Sequence, residues 1–474
     1  MPRGKFAQIH WEERPRLETL GAEAAPSPLT ALLERTKLPR HPQGDAATVR
    51  EETEFLLQCA AEVEHQFIVQ YLYAAFSLDL TDETPEVRQW FNHLRQIAKE
   101  EMGHLLTVQN LLLCIGAQPY LERQTSPPPE PLPFPLTLEP FGLPFVSRFL
   151  VAESPADPEA LPEELRNLKE TIDHVGVLYA MLYWLFQASD ERVCPWLLPA
   201  DFDFPPGRHL TEADYADPAV LGDRINRPSD WTASDSIHVL PDPSQTPLTT
   251  RQQIADAARG AIFDVAAQGE GPNDPQDDPG PCPPLPPATA SHYERLLQIF
   301  NQLKAAGGTA PVRHVPTDPQ VSQITDPVAN RLARGMDLRY NLLMLEIAIA
   351  VFTRRSTTVS GQSVIETVPF WALSDMTQSI REMSLKLMTL PRTQGGTVAD
   401  GAAAPPFTIP ADPFPADERG RWQRLIEILD AYAAVLGEPT AGSDPDVDAI
   451  LDAAGSDDTT RRQFATDALA QLFP

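Results

Sequence analysis

Apolar residues recur with helical spacing over 47–79, 85–116, 162–188, 249–269, 288–306, 327–354, 369–390, 417–437 and 458–472, and almost nowhere alternate with the two-residue period of a strand. Only Thr357 to Val368 reads as a short hairpin. The chain's 50 prolines fall in clusters that no helix interior accommodates, because proline lacks an amide donor and clashes with the preceding turn. They predict long connections at 122–162, 195–248, 271–287 and 391–416. The reading is all-α: a helix bundle elaborated by proline-rich insertions and further C-terminal helices. It divides into an N-terminal extension (1–46), the bundle with its insertions (47–310), additional helices packed on it (311–392) and a C-terminal helical segment (393–474).

Two predicted helices carry an anomaly on their apolar faces. From Trp90 the inward positions of the second are Trp90, Leu94, Ile97, Glu101, His104, Val108, Leu111 and Ile115, an apolar stripe broken by one acid and one imidazole a turn apart. The first runs Leu57, Ala61, Glu64, Ile68, Tyr71, Ala75 and Leu78, broken by one carboxylate. An unpaired charge in such a seam is too costly to keep, so a cation is expected between them. A Glu on one helix facing Glu-x-x-His on the next is half of the ligand constellation of carboxylate-bridged dinuclear bundles. Carboxylate with imidazole suits iron or manganese, with zinc as an alternative. The bland reading of Glu101 and His104 is a surface pair or a satisfied core histidine.

The stretch from Glu64 to Ala75, and Glu101-Met102-Gly103-His104 running on to Leu113-Cys114-Ile115-Gly116-Ala117-Gln118-Pro119, resemble the first helix pair of bacterioferritin and related ferritin-like proteins. With Val108-Gln109-Asn110-Leu111-Leu112, Leu138-Glu139-Pro140, Ala152-Glu153-Ser154-Pro155, Gln268-Gly269-Glu270-Gly271 and Ser291-His292-Tyr293, the chain resembles the ferritin-like family named after iminophenyl-pyruvate dimer synthase of violacein biosynthesis. The resemblance covers scattered blocks between about residues 50 and 390. It implies a ferritin-like four-helix bundle with Glu64, Glu101 and His104 as metal ligands of the first two helices, and Glu270 and His292 as ligands of the second half. The competing readings are a glycine-flanked helix end for Glu270 and a helix-entry histidine for His292. One departure stands out: aligned on Gly176 and Tyr179, the family's third-helix acid is replaced by Val177, which puts a symmetric dinuclear centre in doubt. Glu170, Asp173 and His174, one or two turns earlier, reach a displaced metal or are simply solvated.

Composition narrows the class. Lys and Arg number 37 against 66 Asp and Glu, a formal charge of -29, which argues against nucleic acid or an anionic membrane as the main partner. Cys59, Cys114, Cys194 and Cys282 lie far apart in sequence and read as reduced thiols of a cytoplasmic protein. No targeting segment is visible, and the longest apolar run, 341–352, is too short to span a bilayer. Glu346, alone in that run, reads as a rim salt bridge or an additional ligand, and the acidic runs 274–278 and 444–448 as solvated loops.

The favoured expectation is a metal-dependent oxidase or oxygenase of secondary metabolism. It would hold di-iron or a single iron, with manganese or zinc possible, and act with O2 or peroxide on a small substrate derived from an aromatic amino acid. Homo-oligomerisation is open. The rivals are ferroxidase or iron-storage chemistry, a metal-free ferritin-like scaffold, and a hydrolytic zinc enzyme.

Overall fold

The computed structural model describes residues 48–474 except 83, 124–136, 156, 167, 169–174, 199–203, 226, 228–247, 272–281, 283–289, 410–413, 416 and 439–443. The expected N-terminal extension, the 274–278 acidic run and Glu170, Asp173 and His174 lie outside them. The described chain is all-α apart from a two-stranded hairpin, β1 (Thr358–Val359) with β2 (Gln362–Ser363), paired antiparallel with Thr358 opposite Ser363.

Helix α1 (Val49–Ser77) starts at a capping box: the Thr48 hydroxyl accepts from Glu51 N at 3.2 Å and the Glu51 carboxylate from Thr48 N at 3.0 Å, satisfying two orphan amides at once. It packs along α2 (Pro85–Cys114), which opens with proline in its first turn, where no amide partner is lost. Helices α4 (Gly176–Phe186) and α5 (Arg251–Gly269) complete the bundle: α1 touches α2, α2 touches α5, α5 touches α4, and α4 returns to α1. The short α3 (Leu143–Ala152) and α6 (His292–Ala305) pack on each other and against this ring. Phe145 and Phe149 of α3 pack edge-on or tilted against Phe67 and Tyr71 of α1, with centroids 4.7 to 6.1 Å apart. Each such buried ring contributes roughly 1.5–3 kcal/mol through apolar burial.

The rest of the chain wraps this bundle. Helix α7 (Pro327–Phe352) packs on α8 (Val364–Ser374), on α9 (Ile380–Leu387) and on α10 (Glu418–Leu436), followed by α11 (Pro445–Ala454) and α12 (Asp458–Leu472). A π-helical turn, Asp375–Ser379, joins α8 to α9. The first helix is buried almost all round from Leu56 onward, beyond the single stripe expected, with α9 packed against it and Tyr340 of α7 reaching His65. On its far face His65 donates from Nδ1 to the Leu121 carbonyl at 3.1 Å and accepts the Tyr340 hydroxyl at Nε2, 2.6 Å away; burial holds this imidazole neutral.

Several expectations need correcting. Residues 122–162 do not run as one connection, since α3 lies inside them; its Leu143-Pro144 opening looks like a break but is a helix start. The helix expected from 369 begins at Val364, with Pro369 inside it. Asp444 is no loose acid: it caps α11 by accepting from Asp446 N at 2.9 Å and pairs with Lys386 at 2.9 Å. Glu346 is not at a rim. It is fully buried and pairs with Arg461 Nη1 at 2.9 Å, which also reaches Asp375 at 2.5 Å.

The cysteines are corrected too. Cys194 and Cys282 form a disulfide, with Cα atoms 4.6 Å apart, while Cys59 and Cys114 are buried free thiols. Their 88-residue separation concealed the pairing, because α4 and α5 lie side by side and bring the flanking segments together. This removes the reduced-thiol argument for a cytoplasmic location. No helix of the described residues is long and apolar enough to cross a membrane.

Candidate metal centre

Six acidic and imidazole side chains converge inside the ring. Glu64 comes from mid-α1 and Glu101 and His104 from one face of α2. Glu153 comes from the residue that ends α3, Glu270 from the residue that ends α5, and His292 from the first residue of α6. Helix ends are fixed locally. A Ser291–Glu294 capping box sets where α6 begins, so His292 points inward on its first turn. The Val175 amide donates to the Ala152 carbonyl at 2.9 Å, tying the start of α4 to the end of α3 beside Glu153. Gly176 opens α4 because a Cβ there would overlap the Glu270 carboxylate. Gly271 takes a φ of +71°, which turns the chain out of α5 immediately after Glu270.

Glu101 is the hinge of the arrangement. Its Oε2 lies 2.8 Å from His104 Nδ1, and its Oε1 lies 3.2 Å from His292 Nδ1. Glu64 Oε2 is 3.4 Å from the same His104 nitrogen, and Glu153 Oε1 is 3.6 Å from the same His292 nitrogen. Two half-sites result, one of Glu64 and His104, the other of Glu153 and His292, with one oxygen of Glu101 facing each. The imidazoles are 5.3 Å apart. Each half-site carboxylate also accepts a buried phenol: Tyr179 donates to Glu64, and Tyr71 donates to Glu153 at 2.8 Å.

The outer nitrogens of the histidines are held as well. His104 Nε2 donates to Gln268 Oε1 at 2.8 Å, and His292 Nε2 donates to Glu100 Oε2 at 3.1 Å. Glu100 is in turn clasped by both terminal nitrogens of Arg295. Both rings therefore aim Nδ1 at the centre, the tautomer arrangement expected of imidazole ligands steadied from behind.

Electrostatics reflect this crowding. Burial and the neighbouring Glu101 charge push Glu64 up to about 7. Burial alone would favour neutral His104, but hydrogen bonds to Glu101 and Glu64 raise it to about 10, so both its nitrogens carry protons. Burial also opposes the charge of Glu100, yet His292 and Arg295 draw its pKa down to about 2. Burial and the nearby carboxylates keep Tyr71 and Tyr179 neutral donors.

The donor set fits a metal. Glu101, His104 and His292 each offer an atom within 4.8 Å of the others. All three are at most 2 % exposed. Glu101 Oε1 and His292 Nδ1, buried and 3.2 Å apart, make no well-formed hydrogen bond to any other group among the described residues, so both atoms can turn to a shared cation. Oxygen and imidazole donors without thiolate suit iron, manganese or zinc. A small cavity of about 20 Å³ adjoins the cluster, walled by Phe67, Val175, Val265 and Ala266 and carrying Glu64, Glu101, His104, Glu153 and Glu270 on its polar side.

The five residues singled out in the sequence, Glu64, Glu101, His104, Glu270 and His292, all border this centre. Glu153 was missed, although the resemblance already passed through Ala152-Glu153-Ser154-Pro155. Its helix was hidden among prolines, and no periodic seam extended far enough to expose an acid at its end. No role was read for Glu100, beside Glu101, or for Gln268, within a quoted motif, because their partners are visible only in three dimensions. Where Val177 leaves α4 without an acid, the end of α3 brings the Glu153 carboxylate to within 3.6 Å of His292.

Fold and centre together define a helical bundle protein with a buried carboxylate and imidazole cluster fit to bind metal. The family model described as Ferritin-like matches residues 57–301, and the chain belongs to that family. No match was found among curated proteins or among solved structures.

Proposed function

We propose that this protein is a metal-dependent oxidase or oxygenase of the iminophenyl-pyruvate dimer synthase type, using iron or manganese with O2 or peroxide on a small, aromatic amino-acid-derived substrate. The observation that carries the reading is Glu101, whose two buried oxygens face two different histidines beside a small cavity.

Glu64, Glu101, His104, Glu153 and His292 would hold the metal, with Glu270 at the cavity wall beside them. When bound, it would supply redox chemistry and activation of the oxidant. The protein's own part is positional. Gln268 and Glu100 fix the imidazole planes, Tyr71 and Tyr179 hold the carboxylates, and Phe67, Val175, Val265 and Ala266 keep water from the reacting face.

The test is metal quantification after purification without chelators, then reconstitution with Fe(II) and air followed by optical spectroscopy. The proposal expects stoichiometric metal and an oxygen-dependent absorption band, both lost in Glu101→Ala and His104→Ala. Metal retained in those variants, or a band indifferent to oxygen, would count against it. A cage-sized assembly that accumulates iron would favour the storage rival.

A further inference from the structure

The two half-sites look alike from inside and differ from behind. Each has one carboxylate of its own, one oxygen of Glu101, one imidazole Nδ1 and one phenol on its carboxylate. The phenol contributions therefore offset each other. What separates the half-sites is the acceptor behind each ring: a neutral amide, Gln268, for His104, and a carboxylate, Glu100, for His292.

That difference changes the ligand. A carboxylate accepting the outer N–H pulls the proton away from the ring and raises electron density on the opposite nitrogen, whereas an amide oxygen does this weakly. Glu100 and His292 are buried, so solvent screens the effect little. Arg295 offsets part of the Glu100 charge, but its clasp fixes the carboxylate in line with Nε2 and leaves Glu100 the acceptor.

We infer that Glu100 and Gln268 are positioning residues that rank the two half-sites. The half-site of His292 and Glu153 takes the first divalent cation, and that of His104 and Glu64 the second. The inference rests on the metal-centre reading above and adds an order of loading to it. An enzyme so built passes through a defined singly loaded state, with the metal on the α3 and α6 side.

The experiment is an anaerobic Co(II) titration of the metal-stripped full chain, read by calorimetry and by the visible ligand-field spectrum. The unaltered protein is expected to bind in two resolved steps. Glu100→Gln should weaken the first step by about 10- to 100-fold while sparing the second, and Glu100→Asp should recover part of the loss. Gln268→Glu should strengthen the second step and narrow or invert the gap. It adds a charge without stranding Arg295, so it carries the test alone if Glu100→Gln does not fold. Two indistinguishable steps in the unaltered protein, an equal loss in both steps for Glu100→Gln, or no change in the gap for Gln268→Glu overturns the inference and leaves the metal centre standing. A chain that binds no Co(II) overturns the metal centre itself.

Discussion

Glu101 does at one position what two separate acids would otherwise do, and its burial makes the arrangement sensitive to protons. In the metal-free protein His104 is protonated up to about pH 10 and Glu64 up to about 7, so a cation entering their half-site must displace both protons. Apparent metal affinity is therefore expected to climb as pH rises from 6 to 9, by up to about tenfold per unit for each proton released. Competition titrations at fixed ionic strength check it, and a flat profile would contradict it. The same groups set the sign for stability. Both pKa values are raised on folding, so the stability they lend the metal-free protein is full below the unfolded values and is lost as pH rises through the folded ones. The thermal midpoint of the stripped chain should accordingly fall between pH 6 and 10, and the gain on adding metal should widen.

A second residue-scale prediction concerns Gly176. Alanine there forces the Glu270 carboxylate aside, so Gly176→Ala should reshape the cavity and weaken metal binding with little loss of helix content, read by circular dichroism beside metal titration. At this scale much was legible. Glu64, Glu101 and His104 broke apolar seams that had no other reason to break. Glu270 and His292 carried no such signal, because each sits at a helix end where periodicity has run out, and only motif resemblance pointed to them.

Helices α3 and α6 make the centre asymmetric in origin. Two long helices, α1 and α2, present cluster side chains from their middles, while Glu153, Glu270 and His292 come from termini, where a one-residue change of cap would rotate the side chain away. Glu153→Ala should halve the metal bound at saturation and leave the half-site of Glu64 and His104 loaded, measured by elemental analysis after gel filtration. If both equivalents persist, Glu153 is not a ligand. The long helices were readable from periodicity because seven or more seam positions average out noise. Helix α3, ten residues long and opening Leu143-Pro144, offered too few turns, and its identity as a helix comes from packing its phenylalanines on α1.

Across the whole molecule, the last helix is pinned to α7 and the π turn by buried charge. Arg461 of α12 bridges Glu346 of α7 and Asp375 of the π turn, and Arg339 pairs with Asp458 at 2.5 Å. Removing one partner strands the others without solvent, so Arg461→Met should cost about 3–5 kcal/mol in denaturant unfolding. A loss below about 1 kcal/mol would mean that water already reaches the network. None of this was visible in the sequence, where Glu346 was a lone acid in an apolar run and its partner lay more than a hundred residues away. The bundle itself was legible because its helices are long and regular.

The Cys194–Cys282 bond closes a covalent ring around all of α5 and the Glu270 it carries. A protease that cuts once anywhere between the two cysteines leaves a single molecule of nearly unchanged mass, its fragments parting only when a thiol is added and the chain unfolds. Intact size on a gel is therefore no proof of an uncut backbone unless the sample has been reduced.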